Sequence, residues 1–282
     1  MESPAEAFSG RTWKYWTQPT VVDVQGVPTA YRRAGEGETL VYLHGGGNTR
    51  SWLPFHQELA KHFDVVAPEH PGFGDTPRGP EMDRWEDWVL HYDAFFSQLG
   101  LTDFHLVGNS LGGWLAANLA VYYPQRFKSL TLVTPTGLRL LGAPLIDVFR
   151  WTPEEAASAL FNGRAERYLD QLVQQGEPED GIQAYQEEST GALLMWNPRY
   201  DLKLDTRLSR IAAPTLCVGV DDDRVVGTGM SARYADLIPG AKHLRISGPS
   251  GEPSGHMVFM EQPGDTVAAI TEHVNRNARL EA

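Results

Sequence analysis

The amino-acid sequence predicts an α/β fold, a sheet covered on its faces by helices, on three observations. Strand-like runs alternate with helix-like runs over most of the chain. A small-residue pentapeptide, Gly108-Asn109-Ser110-Leu111-Gly112, stands between one of those strands and one of those helices. The composition, 41% apolar and 10% aromatic over 282 residues, supplies the core of one substantial domain, or of one domain carrying an insertion.

The elements follow in order. Thr20–Asp23, Thr29–Arg33 and Thr39–Leu43 read as the first strands, with Gly26, then Gly35 and Gly37, at the turns between them. A helix is expected near Pro54–His62. Asp64–Pro68 reads as a short buried strand ending in the turn Pro71-Gly72-Phe73-Gly74. Trp85, Trp88, Val89, Tyr92, Phe95, Phe96 and Leu99 recur at three- and four-residue spacings. That period predicts an amphipathic helix, with Gly100 placed to cap it. Phe104–Val107 reads as the strand before the pentapeptide and Gly113 through Tyr123 as the helix after it. Its Gly112, Gly113, Ala116, Ala117 and Ala120 permit close packing on the sheet, and Pro124 stops it. Leu130–Val133, Pro214–Val220 and Lys242–Ile246 are further strands, and Gly264–Ala278 is a closing amphipathic helix.

Between about Gly137 and Leu202 the pattern changes. Helical segments at Pro153–Leu160, Ala165–Gln175 and Gly181–Leu194 replace the alternation, with no convincing strand among them. The expected organisation is a core domain of residues 1–136 and 203–282, with 137–202 inserted as a helical cap.

Charge and composition exclude several classes. A formal net charge of −12 argues against nucleic acid or an anionic membrane as a partner. The single cysteine, Cys217, rules out an intramolecular disulfide framework and any multi-cysteine metal site. Its apolar setting, Thr215-Leu216-Cys217-Val218, reads as a buried strand. The opening residues Met1 to Glu6 are acidic and carry no apolar signal-like run, and no stretch approaches the ~20 apolar residues of a membrane span. The expectation is a cytoplasmic protein, monomeric or homodimeric, without cofactor. No His/Asp/Glu cluster has metal-ligand spacing, and Gly45–Gly47 lacks the Gly-Lys-Ser/Thr that completes a phosphate loop.

The pentapeptide carries the chemistry. G-x-S-x-G between strand and helix is a turn so tight that its serine is strained and its Oγ exposed. Glycine is needed on either side because a Cβ there would collide with the neighbouring strand or helix. A serine hydroxyl is a poor nucleophile at neutral pH. It needs a histidine to take its proton and a carboxylate to orient that histidine. Asp221-Asp222-Asp223-Arg224 follows the strand beginning at Pro214, and His256 stands in Ser254-Gly255-His256-Met257. The chain order is serine, aspartate, histidine.

These motifs resemble those of α/β-hydrolase-fold proteins of the serine esterase and C–C hydrolase type, over almost the whole chain and least in the insertion. The resemblance rests on His44-Gly45-Gly46-Gly47 after a strand, Pro71-Gly72-Phe73-Gly74, the pentapeptide, the acidic turn, and Gly255-His256 followed by Glu261-Gln262-Pro263. It implies a mostly parallel eight-stranded sheet with helices on both faces and an inserted helical cap. It also implies Ser110 as nucleophile and His256 as base. The family's acid precedes a motif like Arg-x-Val, a register that selects Asp223, with Asp222 the fallback. Val220 stands where relatives usually carry glycine, and Gly219 comes one place earlier, so the register of that turn stays open. The oxyanion would meet the N–H of Leu111, the residue after the nucleophile, and that of Gly46, with Gly47 the alternative donor. The family's loop histidine usually serves structure, so His44 is assigned no proton transfer. His70, His91 and His105 have no matching context and read as exposed or structural.

Serine at the elbow excludes the family's aspartate-nucleophile branches and points to acyl chemistry on a small ester or lactone. Leu140, Leu141, Phe149, Trp151, Met195 and Trp196 make the insertion apolar, and Trp52, Trp114 and Met257 flank the site in sequence. Trp52, Trp151, Trp196 and Met257 are the expected pocket residues. One alternative is hydrolysis of a C–C bond in a vinylogous diketone acid. Those enzymes resemble one another in a tryptophan after the histidine, where this chain has Met257, and in a carboxylate-binding arginine, for which Arg164, Arg167 and Arg199 are the candidates. The other is a ligand-binding protein that keeps the three residues but turns over slowly.

Overall fold

The computed structural model describes residues 14–142, 146–172, 178–196 and 203–281. Its strands are β1 (Thr20–Val24), β2 (Val27–Ala34), β3 (Thr39–Leu43), β4 (Asp64–Pro68), β5 (Phe104–Asn109), β6 (Phe127–Val133), β7 (Thr215–Val220) and β8 (Lys242–Ile246). They form one sheet in the order β1-β2-β4-β3-β5-β6-β7-β8. The first two run antiparallel to their neighbours, and every pairing from β4 to β8 is parallel.

The principal helices are α1 (Pro54–Leu59), α2 (Trp85–Gln98), α3 (Leu111–Tyr122), α4 (Pro153–Leu160), α5 (Pro178–Met195), α6 (Met230–Leu237) and α7 (Pro263–Glu281). Successive side chains of a strand point to opposite faces of the sheet. In β3, Val41 and Leu43 join one core with Trp88, Tyr92 and Phe96 of α2, Leu115 of α3 and Tyr234 of α6. Leu40 and Tyr42 join the other, with Phe55 and Leu59 of α1 and Val267, Ile270 and Val274 of α7. The strands are therefore apolar on both faces, as a parallel sheet buried between helices requires.

The cap of α2 follows from its sequence. Gly100 takes φ +68°, its N–H bonds to Ser97 O, and Leu101 N–H reaches back to Phe96 O at 2.8 Å. That pair of bonds is the Schellman arrangement that glycine makes accessible.

Three helical elements are among those that differ from the sequence reading; β6, for one, also begins at Phe127 rather than Leu130. The helix α1 ends at Leu59, because Lys61 and His62 N–H bond only three residues back. The expected helix from Ala165 is a 3₁₀ turn, Ala165–Tyr168, and residues 173–177 lie outside the described residues. Tyr168 stacks on Phe161, ring centroids 5.0 Å apart. The α6 helix went unread, although Met230 and Tyr234 lie one turn apart and are buried. Tyr234 Oη donates to Thr136 O at 2.6 Å.

Between β6 and β7 the described residues form helices and turns without a strand. Those elements lie over the loops at one edge of the sheet. Glu187 of α5 accepts hydrogen bonds from Thr49 Oγ1 and Gly74 N, both at 2.8 Å. Among the described residues no helix is long and apolar enough to cross a membrane.

Candidate active site

The turn from β5 into α3 carries Ser110 at φ +52° and ψ −113°, a strained conformation for a residue with a Cβ. Three backbone bonds hold it there: Ser110 N–H donates to Val133 O, while Ser110 O accepts from Trp114 N and Thr136 N. A Cβ on Gly108 would lie 2.3 Å from Gly112 O, and one on Gly112 would lie 2.2 Å from Leu43 O. Both obstacles are backbone atoms, which cannot rotate away, so glycine is obligatory at each position.

His256 and Asp223 arrive from the loops after β8 and β7. His256 Nε2 lies 2.9 Å from Ser110 Oγ. Its Nδ1 lies 2.9 Å and 3.1 Å from the two carboxylate oxygens of Asp223. Asp223 Oδ1 also accepts from the N–H groups of Val225 and Val226. Burial alone would raise the Asp223 carboxyl; the imidazole and those two N–H donors outweigh it and hold the group below its usual 3.8.

The three consecutive aspartates have separate partners. Asp221 accepts from Ser247 Oγ and Gly248 N and so ties β7 to the loop after β8. Asp222 faces outward and meets Arg224 Nε at 2.8 Å. Asp223 alone reaches the histidine. The register of the turn follows from Gly219, whose added Cβ would strike Ser231 Oγ at 2.3 Å. Glycine stands one place early because α6 packs there, and Val220 still ends the strand opposite Ile246.

The loop after β3 is held by histidines. His44 Nε2 accepts from His70 N at 3.0 Å, so its proton sits on Nδ1 and donates to Gly45 O at 2.6 Å. His70 Nε2 donates to His44 O at 2.7 Å, and its Nδ1 meets Tyr92 Oη. The two rings lie 3.8 Å apart. Burial pushes His44 down to about 4 and His70 well below its usual value, so both rings stay neutral. His70, His91 and His105 are all buried, which removes the exposed reading and leaves the structural one.

Below this loop lies a cavity of about 110 Å³. Gly45, Gly46 and Gly47 border it beside Ser110 and His256, and no atom lies within 4 Å of a Cβ built on Gly46 or Gly47. The Leu111 N–H opens α3, where the first amides have no partner inside the helix. The apolar wall is Leu53, Leu160, Leu172, Met257 and Phe259. A larger open groove of about 770 Å³ between α1 and α7 holds none of Ser110, Asp223 or His256.

Of the four expected pocket residues, Met257 borders the cavity beside Ser110 and three do not. Trp52 stacks on His56 at 5.1 Å, Trp151 follows a 3₁₀ turn, and Trp196 is 53% exposed at the end of α5. Trp114 is buried where a Cβ on Gly137 would touch it. Leu160 and Leu172 border the cavity without a sequence signal, since nothing in a helical period says which turn faces it. Tyr42, His56 and Phe259 border it as well and look like ordinary core residues in sequence.

Two of the three candidate arginines, Arg164 and Arg167, are engaged. Arg164 Nη2 donates to Glu261 Oε1 at 2.7 Å and to Pro253 O at 2.9 Å. The other Glu261 oxygen accepts from Gly255 N, next to His256. Arg167 pairs with Glu252. Arg199 lies outside the described residues. Among the described residues no group of histidine, cysteine, aspartate and glutamate could hold a metal ion. Burial raises the Cys217 thiol to about 12.

Comparison with known proteins agrees with this architecture. The alpha/beta hydrolase family matches residues 40–270, and the chain belongs to that family. It is 40% identical over 266 residues to the dihydrolipoyllysine-residue acetyltransferase component of the acetoin cleaving system of Cupriavidus necator, covering 89% of this chain and 68% of that protein. It is 25% identical over 307 residues to the 2-hydroxy-6-oxo-6-(2'-aminophenyl)hexa-2,4-dienoic acid hydrolase of Metapseudomonas resinovorans, covering 99% and 98%. The fold of a meta-cleavage product hydrolase from Pseudomonas fluorescens IP01 superposes with a TM-score of 0.72 at 23% identity, over 91% of this chain and 97% of that one.

Proposed function

We propose that the chain is a serine hydrolase that cleaves a carboxylic ester or lactone of a small apolar or aromatic substrate, with residues 137–202 as its cap. Ser110 Oγ attacks the carbonyl carbon while His256 Nε2 takes its proton. Asp223 holds the imidazole in the tautomer that can accept and stabilises the imidazolium. The N–H groups of Leu111 and Gly46 receive the oxyanion. His256 then protonates the departing alcohol, and water deprotonated by the same nitrogen hydrolyses the acyl-enzyme. The observation that carries this reading is the His256 ring, bonded to Asp223 through one nitrogen and 2.9 Å from Ser110 Oγ through the other.

The test is turnover of p-nitrophenyl acetate, butyrate and octanoate by the intact chain and by Ser110→Ala. The variant is expected to lose activity by something on the order of 10⁴–10⁶-fold with its fold intact. Retention of a tenth of the rate would mean another nucleophile. Thermal stabilisation by these esters without turnover would favour a slow, ligand-binding protein.

C–C bond hydrolysis of a vinylogous diketone acid is the second reading, favoured by the names of several relatives. Against it stand Met257 after the histidine and the engagement of Arg164 and Arg167 with glutamates, which leaves neither guanidinium for a substrate carboxylate. Turnover of such a dienoate with inert nitrophenyl esters would reverse the ranking.

A further inference from the structure

The cavity beside Ser110 has a polar end that the chemistry above does not use. Tyr42 and His56 both border it and are only 2% and 4% exposed. Leu53 N–H donates to His56 Nδ1 at 3.0 Å, so the ring proton sits on Nε2. Burial, reinforced by the nearby Arg32 charge, pushes His56 down to about 3 and keeps that neutral tautomer. No hydrogen bond joins His56 Nε2 or Tyr42 Oη to another described residue, and neither is among the sealed, unpartnered polar atoms of the interior, so both are open to the cavity that their residues border. Two unengaged donors open to one cavity can both serve an acceptor that occupies it. Both rings are fixed in place: Trp52 stacks on His56, and Tyr42 meets its edge at 81° with centroids 5.0 Å apart.

We infer that Tyr42 and His56 form a subsite for a neutral hydrogen-bond acceptor, a keto or ether oxygen, on the acyl chain of the substrate. The inference rests on the acyl-transfer reading of Ser110. Beyond the loop glycines and the Ser110–His256 pair, the rest of the wall is Leu53, Leu160, Leu172, Met257 and Phe259 with His44, Asn48 and Asn109. The N–H donors of those last three are engaged, by Gly45 O, by Met260 Sδ, and by Val133 O and Thr134 Oγ1. The chain between the reacting carbonyl and that oxygen is therefore aliphatic or aromatic carbon. A carboxylate fits less well, because Arg32, whose charge is felt at His56, is already paired with Glu69 at 2.5 Å.

The test compares p-nitrophenyl 4-oxopentanoate with p-nitrophenyl pentanoate, which have the same chain length and differ by the keto oxygen. The intact chain is expected to favour the oxo ester in kcat/KM by on the order of tenfold, and Tyr42→Phe to lower that ratio at least about threefold. Calorimetric binding of methyl 4-oxopentanoate and methyl pentanoate to Ser110→Ala measures the same preference without turnover. A ratio of one in the intact chain, or a ratio that Tyr42→Phe leaves unchanged, overturns the subsite. If neither nitrophenyl ester is cleaved, the hydrolase reading fails by itself. The calorimetric preference then decides the subsite: tighter binding of the oxo ester supports it, and equal binding overturns it. The intact chain and Ser110→Ala decide the matter even if Tyr42→Phe does not fold.

Discussion

The sheet edge and the helical segment above it are assembled on different principles. Ser110 sits on a turn whose course is dictated by backbone: Gly108 and Gly112 have carbonyl oxygens where a Cβ would go, and Ser110 is bonded on both sides through its own peptide groups. The helical segment is attached mainly by side chains, beside one backbone bond from Met257 N to Leu160 O at 3.3 Å. Glu187 reaches Thr49 and Gly74, Arg164 reaches Glu261, and Asn162 Nδ2 donates to Asp222 O at 3.0 Å. Where backbone decides, few residue types are tolerated and geometry is precise. Where side chains decide, many sequences would serve, and the same contacts that fasten the segment also set what borders the cavity.

The comparison can be broken first at the sheet edge. Asp223→Asn should lower kcat by roughly 10⁴-fold, because an amide facing Nδ1 favours the wrong tautomer. Asp222→Asn should stay within about twofold, since its carboxylate meets only an exposed arginine. Esterase kinetics on the two variants rank them, and equal losses would mean the acid is misassigned.

Acid should act on the sheet half before the segment. All nine histidines lie outside 137–202. Burial holds His44 and His91 at about 4 and His56 at about 3. Below their unfolded value near 6.5 the unfolded chain takes up protons that the folded chain refuses. Stability is thus fully present above pH 6.5 and falls toward pH 4, by ~1.4 kcal/mol per pH unit for each such ring. A thermal midpoint that is level above pH 7 and drops steeply below 6.5 is the expected result. A level midpoint down to pH 4.5 would mean the rings are not held neutral.

The junction between the two regions is weaker. Arg164→Met should cost about 3 kcal/mol, because it leaves the buried Glu261 carboxylate without its cation. Adding Glu261→Met should recover part of that loss; denaturant titration of the single and double variants would show it. Smallest of all is Trp196→Ala, expected within about 0.5 kcal/mol and without change in acyl-chain preference. Leu160→Ala, which enlarges the cavity, should shift preference toward longer esters in the same panel.

How much of this was legible follows the same division. The alternation of strands, the Schellman glycine and the serine turn could be read because each depends on local rules or on a residue with no substitute. Asp223 was separable from its two neighbours only by resemblance, since nothing local distinguishes three successive carboxylates. The partners of Asp221 and Asp223, Ser247 and His256, come from elsewhere in the fold, and only Arg224, the partner of Asp222, is local. The tryptophans of the insertion misled because size and apolarity announce burial without saying against what. Tyr42 and His56 were illegible for the opposite reason: in sequence they are a strand residue and a helix residue, and only the fold turns both toward one cavity.

The most direct measurement is reaction with a fluorophosphonate followed by mass spectrometry of the digested chain. A serine activated by His256 should take one adduct per chain, on the peptide containing Ser110, and His256→Ala should abolish it. An unlabelled chain, or an adduct on another residue, would contradict the account.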